Sequence, residues 1–383
     1  MLTRQFKNTL LTPSLLGFGM MRLPVTNPKT QEIDEELAMK MVDEAIRGGV
    51  NYFDTAYGYH EGLSEYFVGR ALSRYPRESY YLASKMPSWM VNTPEDVERV
   101  FQEQLQKCQT EYFDFYLVHN ITENKLERIE SLKIHEFLME MKRQGKIRHL
   151  GFSFHDRPEV LRETINRYEW EFAQIQLNYL DWEQQQAREQ YQILTDAGLP
   201  VIVMEPLRGG SLVSLCEESL QILHEANPYI TPAGWGLRFV ASLPNVMTIL
   251  SGMSTLEQVQ DNIKTLSNFQ PLSETEQETL RKALDAYRKA SPVPCTACRY
   301  CMDCPCGVDI PKVLAIYNHY LFKKASFSFL QECNVLGADK LPVHCVGCGK
   351  CAKVCPQKIE IPKLMKEIAG MIENFERPDW LKR

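Results

Sequence analysis

Two tight cysteine runs near the C-terminus constrain this chain most. The first reads Cys295-x2-Cys298-x2-Cys301-x2-Cys304-Pro305, and the second reads Cys345-x2-Cys348-x2-Cys351-x3-Cys355-Pro356. Three closely spaced thiolates followed by a fourth before proline form a ligand spacing typical of iron–sulfur clusters. Zinc is the alternative, but a zinc module places two Cys-x2-Cys pairs a dozen or more residues apart around one ion. The spacing therefore favours two [4Fe–4S] clusters.

In two-cluster ferredoxins the fourth cysteine of each run ligates the other cluster. This rule predicts one [4Fe–4S] cluster on Cys295, Cys298, Cys301 and Cys355. It predicts a second on Cys345, Cys348, Cys351 and Cys304. The first run is one residue shorter than usual before its last cysteine, so its ligand geometry stays open. A further cysteine, Cys306, follows this run, and we expect it not to be a ligand.

The two runs belong to a longer repeat. Ile310-Pro311-Lys312 follows the first run as Ile361-Pro362-Lys363 follows the second. Two copies of one unit about 50 residues apart indicate a pair of related cluster sites. Helices are predicted over 311–324 and 362–374, which gives a small, mainly α-helical, ferredoxin-like domain.

Bulk properties limit the classes of partner. The 383 residues suffice for one large domain and one small one. With 43 Lys and Arg against 49 Asp and Glu, the net charge of −6 argues against nucleic acid. No apolar run approaches the length of a membrane span, and the N-terminus has no apolar signal region. We expect no membrane partner and a cytoplasmic location.

Before the cysteines, short apolar runs alternate with amphipathic stretches. Strands are predicted over 15–19, 50–54, 80–85, 115–119, 149–153, 173–178, 200–205 and 246–251. Helices are predicted between them, among others over 34–47, 94–109, 132–144, 184–197 and 256–265. Eight such units indicate a (β/α)8 TIM barrel. A doubly wound sheet is the alternative, but no G-x-G-x-x-G motif follows a strand. The predicted domains are 1–284 and 285–383.

In a TIM barrel, chemistry lies at the carboxyl ends of the strands. The second, third and fourth predicted strands end near Asp54, Lys85 and His119, and Tyr59 follows the second strand. An Asp–Lys pair or a single His at a strand end is often only structural. Four such residues on one rim point instead to a catalytic site.

These motifs resemble the aldo-keto reductase family. They are Leu16-Gly17-Phe18-Gly19, Asp54-x4-Tyr59 with Ser64-Glu65 and Gly69-Arg70-Ala71-Leu72, then Lys85, and Asp114-x4-His119. The resemblance covers residues 1 to about 280, and the whole chain is similar to the subgroup that carries a C-terminal two-cluster domain.

The resemblance implies an oxidoreductase that reversibly reduces a carbonyl to an alcohol with NAD(P)H. Tyr59 would donate the proton. Because a free tyrosine has a pKa of about 10, we expect a neighbouring Lys85 ammonium to lower it. Asp54 would pair with Lys85, and His119 would orient the substrate oxygen.

The family's cofactor contacts are only partly kept. The candidate set is Gly19, Ser153, Gln174, Met204, Gly252, Asp261 and Asn262. Phe154 stands where the family has Asn, Met204 replaces the aromatic residue that stacks on nicotinamide, and Glu205 replaces a frequent Ser. No cation lies near Gly252 or at Gln258 to bind a 2′-phosphate. The cofactor is therefore NADP or NAD, with family habit favouring NADP.

Two other functions stay open. One is an electron-transfer protein whose barrel only binds a ligand or partner, and the other is a hybrid in which cluster electrons replace nicotinamide. Clusters move single electrons, so coupling to a hydride normally needs a flavin, and no flavin fingerprint is present. A ferredoxin or flavodoxin is the expected redox partner, and a homodimer is also conceivable. The expected substrate is a small carbonyl or alcohol, in a pocket rimmed by Trp89, Asn120, His155 and Trp182.

Overall fold

The computed structural model describes residues 1–27, 30–290 and 292–375. Internal contacts divide these residues into two compact units. The first unit contains 1–207 and 233–273, and the second contains 208–232 and the described chain from residue 274 onward. Contacts thus group 208–232 and 274–284 with the second unit, whereas the predicted boundary follows residue 284. The domain boundary itself stays a prediction.

The first unit is a closed, eight-stranded parallel barrel. A small antiparallel pair, β2 with β3, lies outside it. The ten strands are β1 (Leu16–Gly19), β2 (Val25–Asn27), β3 (Glu32–Ile33), β4 (Tyr52–Asp54), β5 (Tyr81–Met86), β6 (Phe113–Ile121), β7 (Ile147–Phe154), β8 (Phe172–Gln176), β9 (Val201–Met204) and β10 (Val246–Ser251). In the barrel β1 pairs with both β4 and β10, and the others pair in chain order. The predicted TIM barrel is confirmed.

Helices connect successive strands. They are α1 (Glu35–Arg47), α2 (Ser64–Leu72), α3 (Pro94–Lys107), α4 (Glu123–Ser131), α5 (Ile134–Arg143), α6 (Pro158–Arg167), α7 (Asp181–Gln184), α8 (Ala187–Asp196), α9 (Glu217–Ala226), α10 (Pro232–Ala241) and α11 (Leu256–Ser267). The N-terminus of α3 shows why the sequence predicts where such a helix begins. Thr93 Oγ1 accepts from Asp96 N at 3.2 Å, Asp96 Oδ2 accepts from Thr93 N at 3.3 Å, and Pro94 occupies the first turn.

The N-terminal segment closes the end of the barrel where the strands begin. Phe6, 1% exposed, packs edge-on against Phe115 near the start of β6, at a centroid distance of 5.3 Å. It also packs against Phe172, the first residue of β8, at 6.3 Å. This aromatic cluster fills the bottom of the barrel, so only the carboxyl ends of the strands offer an open mouth.

The second unit is helical. It contains α9 together with α12 (Glu274–Lys289), α13 (Ile310–Lys323), α14 (Ser326–Leu336), α15 (Lys350–Lys353) and α16 (Ile361–Asn374). The repeat reappears as two helices, because α13 and α16 each begin with Ile-Pro, and Ile310 and Ile361 are 2% and 1% exposed. Both helices pack in one apolar core beside the cysteines. Among all helices of the described residues, none has the length and apolarity to cross a membrane.

Candidate active site and cluster cradles

The carboxyl ends of three neighbouring strands bring the four candidate catalytic residues together. Asp54 ends β4, Lys85 lies in β5, and His119 lies in β6. Tyr59 follows β4 in a turn in which its amide donates to Ala56 O at 3.1 Å. The Tyr59 and His119 rings meet edge-on, with centroids 6.0 Å apart. The grouping expected from the sequence is present.

Lys85 is the centre of this group. Its ammonium donates to Asp54 Oδ1 at 2.5 Å, to Thr55 O at 2.8 Å and to Tyr59 Oη at 3.4 Å. The Lys85 and Asp54 side chains are 0% and 3% exposed. Burial raises the pKa of Asp54 and lowers that of Lys85, and their pairing opposes both shifts. A buried pair of this kind fixes the ammonium against the tyrosine hydroxyl.

A second buried network supports Lys85 from behind. Glu65 Oε1 accepts from Ser84 Oγ at 2.7 Å and from Gln104 Nε2 at 2.6 Å. Gln104 Nε2 also lies 3.1 Å from Lys85 O, and Tyr116 Oη donates to Gln104 Oε1. Burial raises the pKa of Glu65, which its two donors partly offset. The Ser64-Glu65 motif thus holds the β5 backbone that carries Lys85.

The acidity of Tyr59 differs from the expectation. We expected Lys85 to lower the pKa of Tyr59, but the pKa lies well above its usual value. Burial is the largest cause, and the carboxylates of Asp54 and Glu205 add to it, while Arg22 opposes it. The phenol is therefore protonated at neutral pH, which is the form that can donate a proton.

His119 is neutral and lies in a partly aromatic rim. Its pKa is held well below the usual value, first by burial and then by the charges of Lys85, His155 and Lys125. The Trp89 ring lies 4.9 Å from the His119 ring. His119 Nδ1 is buried and has no hydrogen-bond partner among the described residues. A neutral imidazole of this kind can orient a substrate oxygen without carrying charge.

One of the four candidate rim residues is not brought to this group. Trp182 packs against Tyr191 and Phe239, with ring centroids 5.8 and 5.7 Å away, in the helical layer around the barrel. Asn120, in contrast, directly follows His119 and has a positive φ of 58°. Its backbone N donates to Ser153 Oγ at 2.7 Å.

The candidate nicotinamide contacts lie on β7, β8 and β9. Ser153 and Gln174 are adjacent across β7 and β8, and Gln176 on β8 is paired with Met204 on β9. Gln174 Nε2 lies 3.5 Å from the Met204 sulfur, and Gln174 Oε1 is buried with no partner among the described residues. An amide that has one weak acceptor and one unpaired oxygen can bind a carboxamide. Phe154, by contrast, is 1% exposed and joins the apolar core.

The remaining cofactor candidates lie at the ends of β1 and β10. Gly19 ends β1, where an added Cβ would lie 3.4 Å from Ser251 O. Gly252 follows β10 and is exposed. Asp261 and Asn262 lie on α11, and Asn262, 4% exposed, donates from Nδ2 to Ser251 Oγ at 2.9 Å. Asn262 therefore ties α11 to the end of β10.

An ion pair that sequence reasoning missed lies at this side of the mouth. Arg22 Nη2 donates to Glu205 Oε1 at 3.0 Å, and the two side chains are 23% and 14% exposed. The aliphatic part of Arg22 covers Gly252, because a Cβ added to Gly252 would lie 2.8 Å from Arg22 Cδ. The cation absent from the sequence around Gly252 is thus supplied in space by the loop after β1.

In the second unit the cysteines form two groups. Cys295, Cys298, Cys301 and Cys355 line one cavity, together with Gln357. Cys304, Cys345, Cys348 and Cys351 line the other, where Cys306 is also present. These are the two sets expected if the fourth cysteine of each run crosses to the other cluster. Burial raises the pKa of Cys295 to about 11 and that of Cys301 to about 12.

Within the described ranges, no three His, Cys, Asp or Glu side chains converge on one point as a single metal ion requires. The eight thiols line the two cavities. Arg208 is a further residue that the sequence did not single out. It is 2% exposed, donates from Nη2 to Gln357 Oε1 at 3.0 Å, and its charge acts to lower the pKa of Cys295.

Comparisons with known proteins agree with both units. A model described as the aldo/keto reductase family matches residues 15–285, and one described as a 4Fe-4S dicluster domain matches residues 294–360. L-galactose dehydrogenase of Arabidopsis thaliana is 28% identical over 302 residues, covering 72% of this chain and 91% of that protein. The NADH-specific methylglyoxal reductase of Escherichia coli is 24% identical over 321 residues, covering 72% and 97%.

A solved structure gives the same picture. The holo form of aldo-keto reductase AKR11C1 from Bacillus halodurans superposes with a TM-score of 0.62 at 28% identity, covering 75% of this chain and 97% of that one. The family match spans well over half of the chain and includes all four candidate catalytic residues. The chain therefore belongs to the aldo/keto reductase family of oxidoreductases and carries a 4Fe-4S dicluster domain after its barrel.

Proposed function

We propose that the barrel reversibly reduces a small carbonyl compound to an alcohol with NAD(P)H, with Tyr59 as the proton donor. One observation carries this proposal: the Lys85 ammonium lies 2.5 Å from Asp54 Oδ1 and 3.4 Å from Tyr59 Oη. Tyr59 is protonated, and neutral His119 lies beside it. A carbonyl oxygen between Tyr59 and His119 would accept a proton from the first and be oriented by the second.

The residues near the mouth fit a nicotinamide. Gln174 has an unpaired amide oxygen, and Ser153 is its neighbour on the next strand, so the two can bind the carboxamide. The bound dinucleotide would supply the hydride. Gly19 and Gly252, together with Asp261 and Asn262, are proposed to hold the rest of it. The Arg22 side chain lies against Gly252, and its guanidinium would face the phosphates of the dinucleotide.

The choice between NADH and NADPH follows from the same region. No Lys or Arg lies near Gly252 in the sequence or at position 258 to bind a 2′-phosphate, which favours NADH. Arg22 could bind any of the dinucleotide's phosphates, so it does not distinguish the two cofactors. The related E. coli protein is named as NADH-specific and as a methylglyoxal reductase. That name supports a small carbonyl substrate. It also supports NADH as the cofactor, although the family more often uses NADP.

The second unit is proposed to hold two [4Fe–4S] clusters on the two sets of four cysteines and to exchange electrons with a ferredoxin or flavodoxin. The two thiol-lined cavities support this assignment. The proposed domains remain 1–284 and 285–383, and a cytoplasmic location is proposed for the chain. A homodimer remains an additional proposal.

A second candidate is an electron-transfer protein whose barrel only binds a ligand. Met204 and Glu205 favour it, because they stand where the family has the stacking aromatic residue and a frequent Ser. An anaerobic fluorescence titration with NADH and with NADPH separates the two functions. Binding of either dinucleotide supports hydride transfer. If neither binds at millimolar concentration, the second candidate is preferred.

A further inference from the structure

A lysine lies on the substrate side of the barrel mouth. Lys125 belongs to the first turn of α4, which follows the strand that carries His119. Its ammonium donates to Asn120 O at 2.9 Å and lies 4.8 Å from the centre of the Trp89 ring. Trp89 in turn contacts His119, at 4.9 Å between ring centroids. Trp89 thus lies between the Lys125 cation and His119, the residue proposed to orient the substrate oxygen.

Two lysines act on the histidines at this side of the mouth. His119 is affected by Lys85, His155 and Lys125, and each disfavours the imidazolium. Lys125 and Lys85 act on His155 in the same direction. Asp54 pairs with Lys85, whereas Lys125 has no carboxylate within ion-pair distance in the described parts of the chain. Lys125 is therefore a positive charge beside His119 that no described carboxylate pairs.

Lys125 is also poorly solvated. Burial lowers its pKa to about 8, and no acid offsets this shift. The ammonium is still mostly protonated at neutral pH, but the Asn120 carbonyl and the Trp89 ring are weak substitutes for a counter-ion. A bound anion would complete its coordination and would raise its pKa.

We propose that the substrate of this site is a carbonyl compound that carries a carboxylate, and that Lys125 binds the carboxylate. This inference rests on the proposed carbonyl reduction and adds its substrate class. The carboxylate takes no part in the bond changes. The carbonyl carbon would gain a hydride from NAD(P)H, which becomes NAD(P)+, and the oxygen would gain the Tyr59 proton, which solvent then replaces. Lys125 is a specificity-determining residue that fixes the far end of the substrate.

A pair of aldehydes tests the proposal. We would compare 4-formylbenzoate with its methyl ester in the intact chain, in Lys125→Gln and in Lys133→Gln. Lys133 is an exposed lysine just beyond the same helix and serves as the matched control. We expect kcat/KM to favour the acid over the ester by about tenfold or more in the intact chain and in the control. Lys125→Gln should remove this preference, so that the ratio of kcat/KM for acid and ester falls to about one.

A binding measurement needs no turnover. Calorimetry with 4-(hydroxymethyl)benzoate and its methyl ester should show tighter binding of the acid, and Lys125→Gln should lose this difference. Equal affinity for acid and ester in the intact chain, or an acid preference that survives in Lys125→Gln, would overturn the inference. If neither aldehyde is reduced but the acid preference in binding depends on Lys125, the proposed activity fails while the anion site stands.

Discussion

Removing either member of the buried Asp54–Lys85 pair should destabilise the barrel strongly. The two side chains are 3% and 0% exposed and their atoms lie 2.5 Å apart. Breaking such a pair leaves one buried charge uncompensated, which costs about 3–5 kcal/mol. For a unit of this size about 2–4 °C in Tm corresponds to each kcal/mol, so we expect Asp54→Asn and Lys85→Met to lower Tm by roughly 6–20 °C.

The two variants should differ in how much stability they lose and in how that loss depends on pH. Lys85→Met removes the hydrogen bond that the Asp54 carboxylate accepts from Lys85, whereas Asp54→Asn leaves Lys85 bonded to Thr55 O at 2.8 Å. Burial raises the folded-state pKa of Asp54, so Lys85→Met should lose stability as pH rises above about 4, the unfolded pKa of Asp. Burial lowers the pKa of Lys85, so Asp54→Asn should gain stability as pH rises.

The assay is thermal unfolding followed by far-ultraviolet circular dichroism between pH 5 and pH 9. Cluster absorbance, recorded in parallel on anaerobic protein, reports the second unit and should not change. Glu35→Gln is the control, because it breaks a pair with Arg70 in which both side chains are about half exposed, and such pairs contribute less than about 1 kcal/mol. The double variant Asp54→Asn with Lys85→Met should be less destabilised than the sum of the single variants. Additive losses with no opposite pH trends would refute the reasoning.

Five further variants test the site and the clusters. Tyr59→Phe should lower carbonyl reduction by about 10²-fold or more and keep the cluster absorbance, and unchanged turnover would remove Tyr59 from the site. Because Glu205 raises the pKa of Tyr59, Glu205→Gln should move the alkaline limb of the kcat/KM profile for reduction to lower pH. Cys304→Ser should lose about half of the bound iron while Cys306→Ser keeps it, as measured by iron analysis, and equal losses would contradict the ligand sets. Arg208→Gln should make the midpoint potential of the first cluster more negative in a redox titration followed by electron paramagnetic resonance, since a buried cation stabilises the reduced form.

The barrel could be predicted because each of its eight strands is a short apolar run bounded by turn residues. The mainly apolar run of β10, which is buried throughout, and the capping box at Thr93 are local patterns that the chain shows directly. The two sets of cluster cysteines followed from spacing and one rule on the fourth cysteine. Such features depend on residues that are close together in the sequence or on the length of a repeat, so they can be predicted without knowing which distant residues meet in the fold.

Other features depend on residues that only the fold brings together. Arg22 and Glu205 are far apart in the chain and pair because β1 and β9 end on the same rim. The raised pKa of Tyr59 results from burial and from Glu205, neither of which the Asp54-x4-Tyr59 motif reveals. Similarly, no local pattern in the sequence of α9 indicates that its partner is α12 in the second unit.

The protonation state of Tyr59 bears on which reaction each unit is proposed to perform. Tyr59 is protonated because burial and two carboxylates raise its pKa, and a protonated phenol can supply the proton that the carbonyl oxygen gains as the carbon gains an electron pair. A [4Fe–4S] cluster moves one electron at a time, so it cannot replace the hydride in that step. We therefore expect the cysteine-held clusters to serve a separate half-reaction with a one-electron partner. On this proposal Lys125 would select the carbonyl compound, Tyr59 would supply its proton, and Arg208 would adjust the potential of the first cluster.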